Sequence, residues 1–253
     1  AKQAGRVEDS LALRDAVLLT RPGDEVGPAG RLLLAGQRAA AQPAEKLLAE
    51  KNLAAVLEEF GFFARDGEVV SDLVDDLRQL AACAGMVETL TGAFVTAERH
   101  GFGRVLGAWL ADVLLAQRLG WTHAIPLLGA ETALDVGASR RRRDVFAAMS
   151  PAETQSDRTK SLLAAQARAA LRAIDLSAEL GRRADRLLAV APKLRAKAAD
   201  LVVERLLSDD AIVASEKIAG MSDRGLRRLF DRLVELGAVR ELSGRPTFRI
   251  YGL

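Results

Sequence analysis

The sequence holds a single cysteine, Cys83, among its 253 residues. One thiol excludes an intramolecular disulfide framework and any zinc site built from a cysteine cluster. A reducing cytosol fits that usage. Aromatic side chains make up only 4% of the chain, and β-branched residues are scarce beside Ala, Leu and Arg. That bias favours helix. No apolar run approaches the roughly 18–20 residues that a membrane span needs; Trp109 to Ala116 comes nearest and carries Asp112. No charged-then-apolar secretory leader opens the sequence. The formal net charge is only +2. With 49% apolar residues the chain has material for a real core, and a wholly disordered chain is excluded. The expectation is a soluble, cytoplasmic protein of one or two domains.

Punctuation by Pro and Gly divides the chain into helices. Val7 to Thr20 reads as a helix stopped by Arg21-Pro22-Gly23-Asp24. Ala29 to Ala41 is a second, and Ala44 to Phe60 a third that Gly61 ends beside Phe62 and Phe63. Leu73, Leu77, Leu80, Ala84 and Val87 recur at helical steps within Ser71 to Arg99, which Gly85 and Gly92 interrupt. Val105 to Leu114 gives another stripe, closed by Gly120, and a short helix follows Pro126. Gly137 to Asp157, with Arg140 to Arg143, reads as a surface loop. A long helix then places Leu163, Ala167, Leu171, Ile174 and Ala178 on one face. Its apolar phase shifts near Gly181, where a bend or close packing is expected. Pro192 begins the next helix.

Charge is uneven. Residues 1–80 carry 10 basic and 14 acidic side chains, whereas residues 181–253 carry 15 and 10. The basic end also has the most specific pattern. An amphipathic helix over Leu194 to Leu207 ends at Ser208-Asp209-Asp210, and a short helix from Val213 to Ala219 turns at Gly220. Ser222 is an N-cap for a third helix, Asp223 complements its positive end, and Gly237 stops it. Leu226, Leu229, Phe230, Leu233 and Leu236 form the apolar stripe. The period then becomes extended: Ala238 to Leu242 and Thr247 to Tyr251 read as strands around the turn Ser243-Gly244-Arg245.

Three helices and a hairpin resemble a winged helix-turn-helix, most closely over Leu226 to Arg240. Packing the stripe inward leaves Arg224, Arg227, Arg228 and Arg232 outside. A recognition helix offers such residues to the major groove. Arg245 and Arg249 on the hairpin would reach backbone or minor groove. Residues 217–253 carry 8 basic and 4 acidic side chains, so phosphate contacts would make binding salt-dependent. Beside this stands a second reading: Asp231 and Glu235 alternate with the arginines as on a solvated, ion-paired face. Winged helices also serve as dimerisation or protein-docking modules.

Three further stretches carry a wider resemblance: Leu13 to Arg31, Leu187 to Lys197, and the ending Gly244 to Leu253. Together they resemble a bacterial family numbered 1403 among the domains of unknown function. That resemblance implies no activity and supplies no catalytic residues. The ending also resembles those appended to some bacterial Fic-type proteins, but the Fic His-Pro-Phe signature is absent.

Catalytic motifs are not found. No Gly-Lys-Ser/Thr phosphate loop, no dinucleotide glycine pattern around Gly101 and Gly103, and no His-Glu-x-x-His is present. His100 and His123 read as structural, although His123 with Glu131 and Asp135 would be one conceivable metal set. Cys83 reads as a small buried hydrophobe, Trp109 and Trp121 as core, and Asp75-Asp76 and Glu58-Glu59 as solvated surface. The expected architecture is mainly α: an all-helical domain over 1–190 and a winged helix-turn-helix with a short β-hairpin over 191–253. The expected function is DNA binding in transcription regulation by a homodimer, with no enzyme activity, cofactor or metal. A helical scaffold that docks proteins is the alternative.

Overall fold

A computed structural model describes residues 10–19, 26–62, 67–129, 151–196, 198–243 and 248–253. It is mainly helical, with one small antiparallel sheet near the C-terminus. The helices are α1 (Ser10–Leu19), α2 (Gly27–Ala41), α3 (Ala44–Leu47), α4 (Glu50–Glu59), α5 (Gly67–Cys83), α6 (Met86–Arg99), α7 (Arg104–Arg118), α8 (Pro151–Val190), α9 (Ala199–Ser208) and α10 (Asp223–Glu235). The strands are β1 (Ile212–Val213), β2 (Arg240–Glu241) and β3 (Ile250–Gly252). The chain forms two compact units. One comprises Gly27–Ala173; the other combines α1 with Ile174–Leu253, so that α8 contributes to both.

In the first unit α7 is the central element. Every residue from Leu106 to Ala116 is buried, which is why this helix is apolar nearly all round. Gly107 lets α6 come close: a Cβ there would lie 3.0 Å from the Phe94 Cα. The exception to the apolar surface is Asp112, 1% exposed. Its carboxylate accepts from the Leu128 and Gly129 N–H groups at 3.0 and 3.1 Å, capping a helical turn at 127–129. Phe60 packs edge-on against Trp109 with ring centroids 5.9 Å apart.

Several expected helix boundaries move. The helix expected over Ala44 to Phe60 breaks into α3 and α4, because Leu48 turns inward and Ala49 is extended. Asn52 Nδ2 donates to the Lys46 carbonyl at 2.8 Å, taking up an acceptor near the break. Gly85 is extended and separates α5 from α6, whereas Gly92 lies inside α6. Arg118 from α7 donates to the Ala84 carbonyl at 2.7 Å, satisfying the end of α5. Pro151 to Asp157 is helical and not a loop, since proline at a first helical position removes only an N–H that would be unpaired. Residues 137–150, with Arg140 to Arg143, lie outside the described residues. α8 continues unbroken through Gly181, and no described residue lies within 4 Å of where its Cβ would stand.

In the second unit, Leu187 and Val190 of α8 join Val202 and Leu206 of α9, Ile212 of β1, and Leu226, Leu229, Phe230 and Leu233 of α10 in one core. The helix expected over Leu194 to Leu207 starts only at Ala199, where the buried set Ala199, Val202, Val203 and Leu206 begins. Pro192 sits in a 3-10 turn (Ala191–Lys193). The short helix expected over Val213 to Ala219 is absent. β-Branched Ile212 and Val213 pair instead with Tyr251 and Ile250. The sheet order is β1-β3-β2, all antiparallel, with Arg240 opposite Gly252 and Glu241 opposite Tyr251.

Candidate nucleic-acid interface

α10 begins at an N-cap read correctly from the sequence: Ser222 Oγ accepts from the Gly225 N–H at 3.2 Å. It ends at Gly237, whose φ of +65° lies in the left-handed region that glycine adopts without strain. Its inner face is clamped. The Phe230 ring stacks on Tyr251 of β3 with centroids 4.2 Å apart and planes 4° from parallel. That clamp fixes the inner face against the sheet and leaves the outer face exposed. The segment between β1 and α10 is tied down by Arg205 of α9, which reaches Asp209 at 2.5 Å and Glu216 at 2.7 Å.

The arginines on that outer face divide in two. Arg224, Arg227 and Arg228 are exposed, in the N-terminal half of α10. No carboxylate among the described residues forms an ion pair with any of the three. Arg232, one turn on, is held by Glu235 at 2.6 Å. Arg249 lies 3.8 Å from both Asp231 and Glu241, which ties the strand end to α10. Its guanidinium is held still more firmly charged, first by the Tyr251 hydroxyl and then by those carboxylates. Arg245 lies outside the described residues. The structure therefore brings three of the six expected arginines together without ion pairs among the described residues, and places two in ion pairs. The neighbouring Asp231 and Glu235 were the sequence signal for that pairing.

Next to the Arg245 segment, Phe248 has a φ of +56° and is 65% exposed, a strained position for an aromatic residue that sequence reading placed in a regular strand.

Other candidates fall to structural roles or prove different from expectation. His100 Nε2 lies 2.8 Å from Asp76, which also takes a hydrogen bond from Arg99 at 3.0 Å. Asp76 is thus half-buried and paired, whereas Asp75 is exposed. His123 is exposed and bridges Pro43 through the backbone; Glu131 and Asp135 lie outside the described residues. Cys83, in the last turn of α5, is exposed and not buried. It borders a shallow depression with Gln79, Thr96 and Arg99. Trp109 is core, but Trp121 is 38% exposed in the turn after α7. Among the described residues no group of three or more His, Cys, Asp or Glu stands in a metal-binding arrangement. No described helix is long and apolar enough to cross a membrane.

The chemistry of Asp112 was not announced by the sequence. Burial pushes its carboxyl up to about 7, against the lowering effect of the backbone N–H groups of Leu128, Gly129 and Leu127. Only its place in the middle of an apolar helix hinted at this.

Comparison with curated proteins gives no match. A family model does match, over residues 1–253, under the description "Protein of unknown function (DUF1403)". The chain belongs to that family.

Proposed function

We propose that the second unit binds double-stranded DNA and that the protein regulates transcription as a homodimer on paired half-sites. One observation carries this reading: Arg224, Arg227 and Arg228 stand without ion-pair partners among the described residues, on the exposed N-terminal half of a helix whose opposite face is clamped to the sheet. Recognition helices present their N-terminal residues to base edges, and arginine pairs bidentately with guanine or grips phosphate. The order α9, β1, α10, β2, β3 and the sheet order β1-β3-β2 support a winged module, in which β1 and residues 214–221 stand where the middle helix of a helix-turn-helix was expected. A two-fold dimer would present two such helices and multiply their affinity.

The ion pairs of Arg232 and Arg249 favour a second reading, in which the same module docks a protein. Binding to a pool of random duplex DNA at low and raised salt separates the two. Wild type that binds, weakens with salt and loses binding on Arg227→Glu/Arg228→Glu supports the DNA reading. Wild type that fails to bind at low salt refutes it and leaves the docking role.

A further inference from the structure

α8 carries a line of exposed positions at alternating steps of four and three residues: Lys160, Ala164, Ala167, Leu171, Ile174, Ala178, Gly181 and Asp185. That spacing is a heptad seam of core-type positions. The inner side of the helix is accounted for separately, since Ala165 and Ala169 are buried in the first unit's core. The sequence reading found part of this apolar line, but the structure leaves it in solvent. Leu171 is 63% exposed and Ile174 64%, and they are the two large apolar side chains of the line.

The line reads as its own complement when reversed. Laid antiparallel on a copy of itself, with the two-fold axis between Leu171 and Ile174, it sets Leu171 against Ile174, Ala167 against Ala178, and Ala164 against Gly181. At each end Lys160 meets Asp185. Every layer is matched in size, the small layers let the backbones approach, and both ends are closed by opposite charges. One position to the side, Arg168 and Asp175 face each other in the same register. A parallel pairing offers none of these charge matches, and it also aligns the helix dipoles unfavourably. The apolar layers span Ala164 to Gly181, or about 26 Å of helix.

We propose that α8 pairs antiparallel with α8 of a second copy of this chain, about a two-fold axis between Leu171 and Ile174. The pairing is isologous, so it closes as a dimer and leaves no free seam. It locates the dimer contact that the DNA reading invokes, yet it stands on α8 alone.

Sedimentation equilibrium of the full chain tests it. Wild type is expected to be a dimer and Leu171→Lys/Ile174→Lys a monomer with an unchanged helical circular dichroism spectrum. Lys160→Asp alone sets Asp against Asp at both ends and is expected to weaken association on the order of tenfold. Adding Asp185→Lys is expected to restore it. A monomeric wild type, or a dimer indifferent to the lysine pair, overturns the proposal. Should the lysine pair misfold, the charge exchange decides alone, and failure of the double exchange to restore association overturns the antiparallel register. None of these outcomes depends on whether DNA is bound.

Discussion

Asp112 gives a prediction in which both sign and size follow from structure. In the folded protein its carboxyl titrates at about 7, against a reference of 3.8, because burial disfavours the charge. The folded state therefore keeps its proton to a higher pH than the unfolded chain does. The stabilising preference is fully present below about pH 4 and is lost as pH rises to about 7. That interval corresponds to roughly 4 kcal/mol of stability. Asp112→Asn removes the titration and keeps only one of the two oxygens that accept from the Leu128 and Gly129 N–H groups; the N–H left facing the amide NH2 costs about 1–3 kcal/mol at every pH. The expected result is that wild type exceeds the Asn variant most at pH 4, and that the difference shrinks by up to about 4 kcal/mol towards pH 8. Urea denaturation followed by tryptophan fluorescence is the assay, since Trp109 and Trp121 both belong to the first unit. Titration of every other group cancels in the difference. Curves for the two proteins that run parallel from pH 4 to pH 8 would refute the reasoning.

Two further perturbations separate packing from propensity. Gly107→Ala should destabilise the first unit by about 1–2 kcal/mol, because the new Cβ meets the Phe94 Cα and ring at 3.0 Å. Gly36→Ala on α2, where no described residue lies within 4 Å, should gain up to about 1 kcal/mol; the same fluorescence-detected denaturation reads both, and a loss at Gly36 would contradict the packing argument. Phe230→Ala should cost the second unit about 3–5 kcal/mol by emptying the space against Tyr251. Circular dichroism melting reads that loss, and an unshifted melt would show that the stack is not what clamps α10.

What the sequence announced and what it hid follow from the range of the forces involved. Local chemistry was legible. Ser222 caps, Gly61, Gly120 and Gly237 turn with positive φ, and the apolar period of α10 buries Leu226, Leu229, Phe230 and Leu233. Non-local chemistry was not. Val213 reads as the start of a short helix, but β3, nearly 40 residues later, draws it and Ile212 into a strand. The break at Leu48 and Ala49 contains no Pro or Gly. It is set by tertiary docking, in which the Ala44 N–H donates to the Thr122 carbonyl and Gln117 Nε2 to that of Ala44. Periodicity also cannot say which of two apolar faces is buried. In α8, Leu171 and Ile174 share the spacing of core residues yet stand in solvent. At the candidate interface, the outward set of arginines followed from the stripe. The spacing of Arg232 and Glu235 signalled their ion pair, whereas that of Arg249 with Asp231 required coordinates.

The salt dependence of DNA binding tests the central claim most directly. Fluorescence anisotropy with a labelled duplex, over a series of salt concentrations, gives the slope of log affinity against log salt. The account predicts binding by wild type with a slope of about −0.9 per phosphate contact. The slope becomes shallower by about two contacts, or binding is lost, in Arg227→Glu/Arg228→Glu. No binding at the lowest salt, or a variant with the affinity and slope of wild type, would contradict it.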